Sequence, residues 1–457
     1  MLRGVDAFLA DARAALGASA VLTDPEIVLA HVVDWTGRWR GTTPAVLRPR
    51  RTEDIVAVID LARRHDVALV PQGGNTGLSG GAVPLAGEVV VDLRALDSIG
   101  PVDTAAAQVT VGAGVTLAAL QDHLRPLGLA LGVDLAARAS ATIGGMVATN
   151  AGGVHVLRHG SMRAQVLGVE VVLGSGARVE ANLAGLVKDN TGYDLPGLLC
   201  GSEGTLGIVT AARLRLVPVP RRRAVVLVGL RSVKAAVASL PSIRSLADLH
   251  AIELVLRSGL DVVATHLGEP TPLDSAAACA LLVEVAGDSE TLLEPLATVL
   301  DALGREMVGS AAADDPSGVE RLWRWRERHT EAASALGIVH KADVTLPVAQ
   351  LAAFVDAVEA AVALTAPAAT TLVFGHLADG NLHVNVIGPA ADDERPINSV
   401  LELVLRLGGS VSAEHGIGTA KRRWLLRQRG DAAVAAMRAI KAALDPDGIL
   451  NPGALLP

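Results

Sequence analysis

Apolar residues recur along this chain at two spacings. Between Thr52 and Ala62 the apolar positions Ile55, Val58, Ile59 and Ala62 fall three and four apart, with Glu53 and Asp54 in the first turn. That spacing predicts a helix with one buried face. Leu117–Leu127, Val233–Ser239, Leu292–Leu303, Leu351–Leu364 and Ala432–Leu444 are predicted helices on the same ground, the last ending before Pro446. Shorter apolar runs bounded by turn residues predict strands at Ala68–Pro71, Val89–Asp92, Ala107–Val111, Val169–Leu173, Val225–Leu230 and Ala280–Val285. Gly174-Ser175-Gly176 reads as a turn returning through Ala177–Glu180. At the N-terminus Val5, Phe8, Leu9, Ala12 and Leu16 alternate with Arg3, Asp6, Asp11 and Arg13. This is an amphipathic helix, not the apolar run of a signal peptide.

The pattern is α+β, and 457 residues are too many for one core. Pro218-Val219-Pro220, followed by Arg221–Arg223, marks a boundary. The reading is an N-terminal helical segment over 1–41, a glycine-rich domain over 42–218, a second domain over 219–410 and a C-terminal helical segment over 411–457. The second domain is expected to be an antiparallel sheet with helices on one face. Half the residues are hydrophobic and 19% are charged, so a sizeable core can be buried. No uninterrupted apolar run is long enough to span a bilayer, which implies a cytoplasmic protein with peripheral membrane contact left open. A net charge of −8 without a basic block argues against nucleic acid. Cys200 and Cys279, the only cysteines, lack C-x-x-C spacing and are expected to be buried thiols.

Chemistry concentrates in two places. Phe374-Gly375-His376-Leu377-Ala378-Asp379-Gly380-Asn381-Leu382-His383 joins the predicted strands Thr371–Phe374 and Leu382–Val386. Asp379-Gly380 signals a two-residue hairpin turn. His376 would then face His383 directly, with Cβ atoms about 4.5–5.5 Å apart. Two imidazoles so placed can share a metal ion. Glu414 and His415, in Ser412-Ala413-Glu414-His415-Gly416, offer a third ligand and a base. If Glu414 faces the metal, His415 projects elsewhere. The set suits zinc, with manganese or iron as alternatives.

The second place is a series of glycine loops. Pro71-Gln72-Gly73-Gly74-Asn75-Thr76-Gly77-Leu78 follows a strand. Ala141-Thr142-Ile143-Gly144-Gly145, Asn150-Ala151-Gly152-Gly153, Arg158-His159-Gly160-Ser161 and Gly201-Ser202-Glu203-Gly204-Thr205-Leu206-Gly207-Ile208 resemble it. Glycines let a backbone approach a ligand closely and aim N–H groups at phosphates. Neither a nucleoside-triphosphatase loop nor a nicotinamide fingerprint is present. An extended phosphate-bearing cofactor is expected.

With Lys188-Asp189-Asn190-Thr191-Gly192-Tyr193-Asp194-Leu195, these loops resemble the FAD-binding domain of the vanillyl-alcohol oxidase (VAO/PCMH) type. From about Pro44 to the end, the chain is similar to the FAD-linked D-2-hydroxyacid dehydrogenases. The resemblance implies a two-lobed FAD-binding domain, a ferredoxin-like antiparallel-sheet cap and a C-terminal segment packing back on the FAD domain. It implies noncovalent FAD held by Pro71, Gln72, Gly73, Gly74, Asn75, Thr76, Gly77 and Leu78, then by Ser140, Ala141, Thr142, Gly144 and Gly145. Further contacts are implied at Asn150, Ala151, Gly152, Glu203, Gly204, Gly207, Ile208 and Asn451. It makes His415 the general base, and His376, His383 and Glu414 the metal ligands. His159, where relatives often carry tyrosine, and Thr419-Ala420 depart from the pattern.

Arg326 and Thr330 are four apart on a predicted helix, and Lys341 follows. Matching Arg, Thr and Lys positions bind substrate in the family, and Arg and Lys suit a distal carboxylate; Asn385, on the strand face of His383, and His415, projecting away from the metal side, are further candidate substrate contacts. Arg324 and Arg328 read as a solvated face, and Lys421-Arg422-Arg423 as mostly surface, with Lys421 kept as a minor candidate for the site. The expected reaction is oxidation of a D-2-hydroxy acid, D-2-hydroxyglutarate foremost, to the 2-oxo acid by hydride transfer to flavin N5. Alternatives are a D-lactate dehydrogenase, a glycolate oxidase FAD subunit, a noncatalytic flavin subunit or a metal hydrolase. Electrons would pass to a separate acceptor, an electron-transfer flavoprotein or a quinone, and a homodimer is possible.

Overall fold

The computed structural model describes residues 2–457, with side chains from residue 4. The chain divides into two compact units. The first comprises residues up to Val219 together with Glu414–Pro457, and the second is Pro220–Ala413.

In the first unit, β1 (Val21–Leu22), β2 (Val46–Leu47), β3 (Leu69–Gln72) and β4 (Val89–Asp92) form a sheet in the order β1-β2-β4-β3. β2, β3 and β4 are parallel, whereas β1 is antiparallel to β2. The segment expected to be helical over 1–41 thus also contributes a strand. β4 is buried at every position, as a parallel strand covered on both faces must be. The helix Thr52–His65 covers this sheet with Ile55, Val58, Ile59 and Ala62. Its acidic first turn and basic last turn oppose the helix dipole.

A second lobe of the same unit holds β5 (Gln108–Gly112), β6 (Leu129–Leu131), β7 (Val166–Leu173), β8 (Arg178–Ala181) and β9 (Gly207–Pro218). Their order is β5-β9-β7-β8, with β6 also on β9, all antiparallel. Val109, Leu117, Leu120, Val169, Val171 and Leu214 share its core. The twelve-residue β9 was hidden in the sequence because its start overlaps a glycine loop. The C-terminal segment closes on the first lobe. The Leu69 N–H donates to the Ile449 carbonyl (2.8 Å) and the Asn451 N–H to the Leu69 carbonyl (2.8 Å).

The second unit is built on a seven-stranded antiparallel sheet. Its strands are β10 (Arg222–Leu230), β11 (Leu249–Leu256), β12 (Cys279–Gly287), β13 (Met307–Ala313), β14 (Val339–Thr345), β15 (Thr370–His376) and β16 (Asn381–Ile387). The order is β13-β10-β12-β11-β15-β16-β14. Helices on one face alone do not account for it. β11 and β12 are buried almost throughout, so both faces of the central strands are covered. The helices Pro316–Glu327 and His329–Ala335 lie on the face carrying Glu253, Phe374 and His383, through Arg326 and His329.

Candidate active site

In the first unit the chain leaves β3 at Gln72 and turns through residues 73–78. A Cβ added at Gly74 would lie 1.8 Å from the Ser140 carbonyl oxygen, and one at Gly73 2.2 Å from Thr142 Oγ1. Only glycine lets the 73–78 and 140–142 loops approach this closely. Thr142 caps the helix Ile143–Thr149, which ends at Asn150 in the left-handed conformation. Asn75, Asn150 and Glu203 all hold positive φ (52°, 51° and 52°). Such strain in non-glycine residues clusters at ligand sites. This close-set, strained backbone fits an extended cofactor such as FAD.

Several side chains expected to hold that cofactor are engaged within the protein. Gln72 is buried, its amide donating to the carbonyls of His31 (2.9 Å) and Ala82 (2.8 Å), with Oε1 2.6 Å from His31 Nδ1. Asn75 donates to the Val33 carbonyl (2.8 Å), and Asn150 Oδ1 accepts from Ser161 Oγ and the Arg163 N–H, both at 2.9 Å. Ile208 lies in β9 with its side chain in the core of the first lobe. These residues shape the loops, and the backbone is what they can offer a cofactor.

Glu414 and His415 stand on the loop by which the chain returns to this unit. Glu414 Oε1 accepts from the Gly153 N–H (2.7 Å), and a Cβ at Gly152 would come within 2.6 Å of that oxygen. Ser79 Oγ donates to the His415 carbonyl (2.8 Å). Glu203 accepts from the Ile417 and Gly418 N–H groups, one on each oxygen, both at 2.7 Å. Asn451 Nδ2 donates to the carbonyls of Gly81 and Glu203, both at 2.8 Å. Glu203 and Asn451 therefore fix loops with the side chains expected to meet the flavin. Burial pushes the Glu203 carboxyl up, only partly offset by those N–H bonds and the charge of Lys421. Lys421 is buried, which sets it apart from Arg422 and Arg423 in the mostly surface triplet.

In the second unit the hairpin differs from its expected register. β15 ends at His376 and β16 starts at Asn381, so the loop has four residues, Leu377–Gly380. Asp379 does not adopt positive φ, as a two-residue type I′ turn would require; Gly380 does (φ 81°). His376 faces Asn381, and Phe374 faces His383. The slip is two residues, and side chains alternate with period two. Both histidines thus stay on one face, as diagonal neighbours. Their ring centroids are 5.5 Å apart, at 81°.

Each ring turns Nδ1 to a buried carboxylate. Glu253 Oε1 is 2.6 Å from His376 Nδ1, and Asp343 Oδ1 is 3.4 Å from His383 Nδ1. Asp343 is held in turn by Asn381 Nδ2 (2.9 Å) and the Ala413 N–H (3.2 Å). Paired imidazoles backed by carboxylates are the arrangement found around metal-bound histidines. The donor set fits a divalent metal.

Arg326 is buried, its Nε 2.5 Å from Glu253 Oε2 and its guanidinium 4.6 Å over the Phe374 ring. The expected single helix through Arg326 and Thr330 is two helices meeting at Arg328. Arg324 and Arg328 form outer pairs with Glu269 and Glu331. Lys341 faces Asn385 across β14 and β16, and burial pushes its ammonium down. Asn385 is 2% exposed, and its Nδ2 has no hydrogen-bond partner among the described residues. A buried donor without an acceptor is costly, and a ligand oxygen would satisfy it. Sequence reasoning missed Glu253, Asp343 and His329 as neighbours of the histidines. A single acid inside the apolar run Ala251-Ile252-Glu253-Leu254-Val255 was the available signal, because a charge is buried only with partners.

Residues 43–182 match the family described as FAD binding domain, and residues 219–455 match FAD linked oxidases, C-terminal domain. The chain belongs to the FAD-linked oxidases. It is an FAD-dependent oxidoreductase. Among curated relatives of this family member, D-2-hydroxyglutarate dehydrogenase of Xanthomonas citri pv. viticola is 37% identical, over 96% of this chain and 95% of the relative. The mitochondrial D-2-hydroxyglutarate dehydrogenase of Bos taurus is 38% identical, over 96% of this chain and 81% of its own. The fold is also that of p-cresol methylhydroxylase, at a TM-score of 0.79 and 18% identity, over 99% of this chain and 97% of the other. A 4-ethylphenol oxidase from Gulosibacter chungangensis gives 0.77 and 17%, over 100% and 98%. Among the described residues no helix is long and apolar enough to cross a membrane.

Proposed function

We propose that this oxidoreductase converts a D-2-hydroxy acid, D-2-hydroxyglutarate foremost, to the 2-oxo acid. The observation that carries the reading is the pair His376 and His383, each backed by a buried carboxylate, on a sheet face shared with Arg326. The names of the relatives, D-2-hydroxyglutarate dehydrogenases, support this choice of acid. His376, His383 and Glu414 would hold a divalent metal, zinc first and manganese or iron next. Loops 71–78, 140–145, 150–152 and 203–208, with Asn451, would hold FAD noncovalently. Bound there, FAD would supply a hydride acceptor and the metal Lewis-acid chemistry at the substrate hydroxyl.

The protein's own residues bind the acid and move one proton. His415 takes the hydroxyl proton, since a neutral imidazole is a suitable base near pH 7. Asn385 donates its unpartnered Nδ2 hydrogen to a substrate oxygen. Lys341, directly across the strand from it, supplies positive charge for a carboxylate. Thr330 adds a hydroxyl. Arg326 has one N–H committed to Glu253, and its remaining guanidinium hydrogens serve the distal carboxylate. Electrons leave to a separate carrier, an electron-transfer flavoprotein or a quinone.

The test is anaerobic. Flavin absorbance of the purified protein is followed as D-2-hydroxyglutarate, D-malate, D-lactate and glycolate are added in turn, before and after chelation. Rapid bleaching by D-2-hydroxyglutarate, lost on chelation and restored by zinc, is expected. Bleaching by lactate or glycolate alone would overturn the dicarboxylate assignment. Bleaching that persists after complete metal removal would overturn the metal assignment.

A further inference from the structure

We propose that Glu253 is a positioning residue that fixes the tautomer of His376, and that Arg326 acts on His376 through Glu253. Only its consequence for metal affinity rests on the metal reading above; the tautomer does not.

Glu253 sits mid-strand in β11, fully buried and directly across from His376. Its two oxygens divide between two partners. Oε1 meets His376 Nδ1 at 2.6 Å, and Oε2 meets Arg326 Nε at 2.5 Å. A carboxylate is acceptor-only, so the hydrogen in the contact with His376 resides on Nδ1. In the neutral ring the lone pair is then on Nε2. The Arg326 guanidinium on the other oxygen keeps a fixed positive charge beside the carboxylate.

Arg326 holds the other end of the chain. Its position over Phe374 leaves the guanidinium plane packed on a ring that itself touches His383. A carboxylate needing only charge compensation would be satisfied by arginine alone. The second contact, to a ring nitrogen in register across the strand, sets the direction of the imidazole. His383 has a looser counterpart, since Asp343 is 3.4 Å from its Nδ1 and is bound more tightly by Asn381. His376 is the better-defined donor of the two. Arg326, read from the sequence as a substrate contact, thereby gains a role present before any substrate binds.

Nitrogen-15 NMR of the metal-free full-length protein at neutral pH reads the tautomer directly, with His376→Ala used to assign the ring. The expected result is a pure Nδ1–H form for His376. An Nε2–H form or a mixture in the wild type would overturn the proposal. Zinc affinity is then measured by chelator competition without substrate. Glu253→Gln and Arg326→Met should each weaken it about 10–100-fold, the range for losing an outer-shell partner of a metal-bound histidine. Glu253→Asp should recover part of the loss. Glu170→Gln is the control: that carboxylate, 7% exposed in the first unit, bonds Thr52, Arg178 and Thr210, and its loss should leave zinc affinity unchanged.

Equal weakening in Glu170→Gln, or none in Arg326→Met, would overturn the role of the Arg326–Glu253–His376 contacts. If Glu253→Gln fails to fold, the wild-type spectrum and Arg326→Met still decide. Should wild type and His376→Ala bind zinc equally, the metal reading fails while the tautomer result stands by itself.

Discussion

His329 illustrates how far one side chain departs from its ordinary chemistry. It is 1% exposed, with its ring centroid 4.7 Å from that of Phe374 and Nδ1 3.1 Å from the Arg326 carbonyl. Burial, helped by the charge of Arg326, pushes its imidazole down from 6.5 to about 3. In the unfolded chain the ring takes a proton near 6.5, whereas in the fold it stays neutral. Stability from this group is therefore whole above pH 6.5 and declines as pH falls toward 3. The slope is one proton, about 1.4 kcal/mol per pH unit. Urea unfolding from pH 7 to 4 should show His329→Phe losing about one proton's worth of that slope. Identical acid slopes in the two proteins would refute the burial argument. At this scale the sequence singled out His376, His383 and Asn385 by their places on the predicted hairpin, and Lys341 by the family resemblance. It did not reveal their partners, because Glu253 and Asp343 belong to other strands.

The hairpin shows what an element's own sequence can set. Alternation fixed which face His376 and His383 occupy, and no two-residue slip could change that. Loop length was not legible, since Asp379-Gly380 satisfies the signal for a tight turn and also the end of a four-residue loop. The returning loop at 414–418 presents the reverse case. Its sequence suggested a ligand and a base, but its shape comes from Ser79 and Glu203, far away along the chain. Glu203→Gln replaces one acceptor oxygen by an amide that faces an N–H. Amide exchange at Ile417 or Gly418 should rise about 5–30-fold, corresponding to one lost buried hydrogen bond of about 1–2 kcal/mol. Unchanged protection at both amides would show that Glu203 does not hold the loop.

Across the whole molecule, each unit carries one buried thiol. Cys200 lies in the first and Cys279 in the second. Burial pushes them up to about 11 and about 12. Since the thiolate is the reactive form, neither should react with a disulfide reagent at pH 8 in the native protein. Labelling through a urea titration, mapped by peptide, should then report the opening of each unit separately. Prompt native labelling of either thiol would contradict its burial. Units with separate cores need not open together. The boundary after Val219 was visible as a proline- and arginine-rich break, but the return of the chain at Glu414 was not, because no composition change marks it.

By itself the sequence determined the local matters. Periodicity set the helix Thr52–His65 and the apolar strands, and glycine density located the loops that approach one another. The spacing of polar residues in strands put two histidines on one face. These follow from chemistry within a few residues. Tertiary structure decided everything that depends on distant segments: that both faces of the central strands in the second unit's sheet are covered, that Gln72, Glu203 and Asn451 hold loops, and that Arg326 reaches Glu253. A buried polar group must be satisfied, but the rule does not say by which residue. Only the fold makes that choice, because the partners come from strands and loops that the chain order keeps far apart.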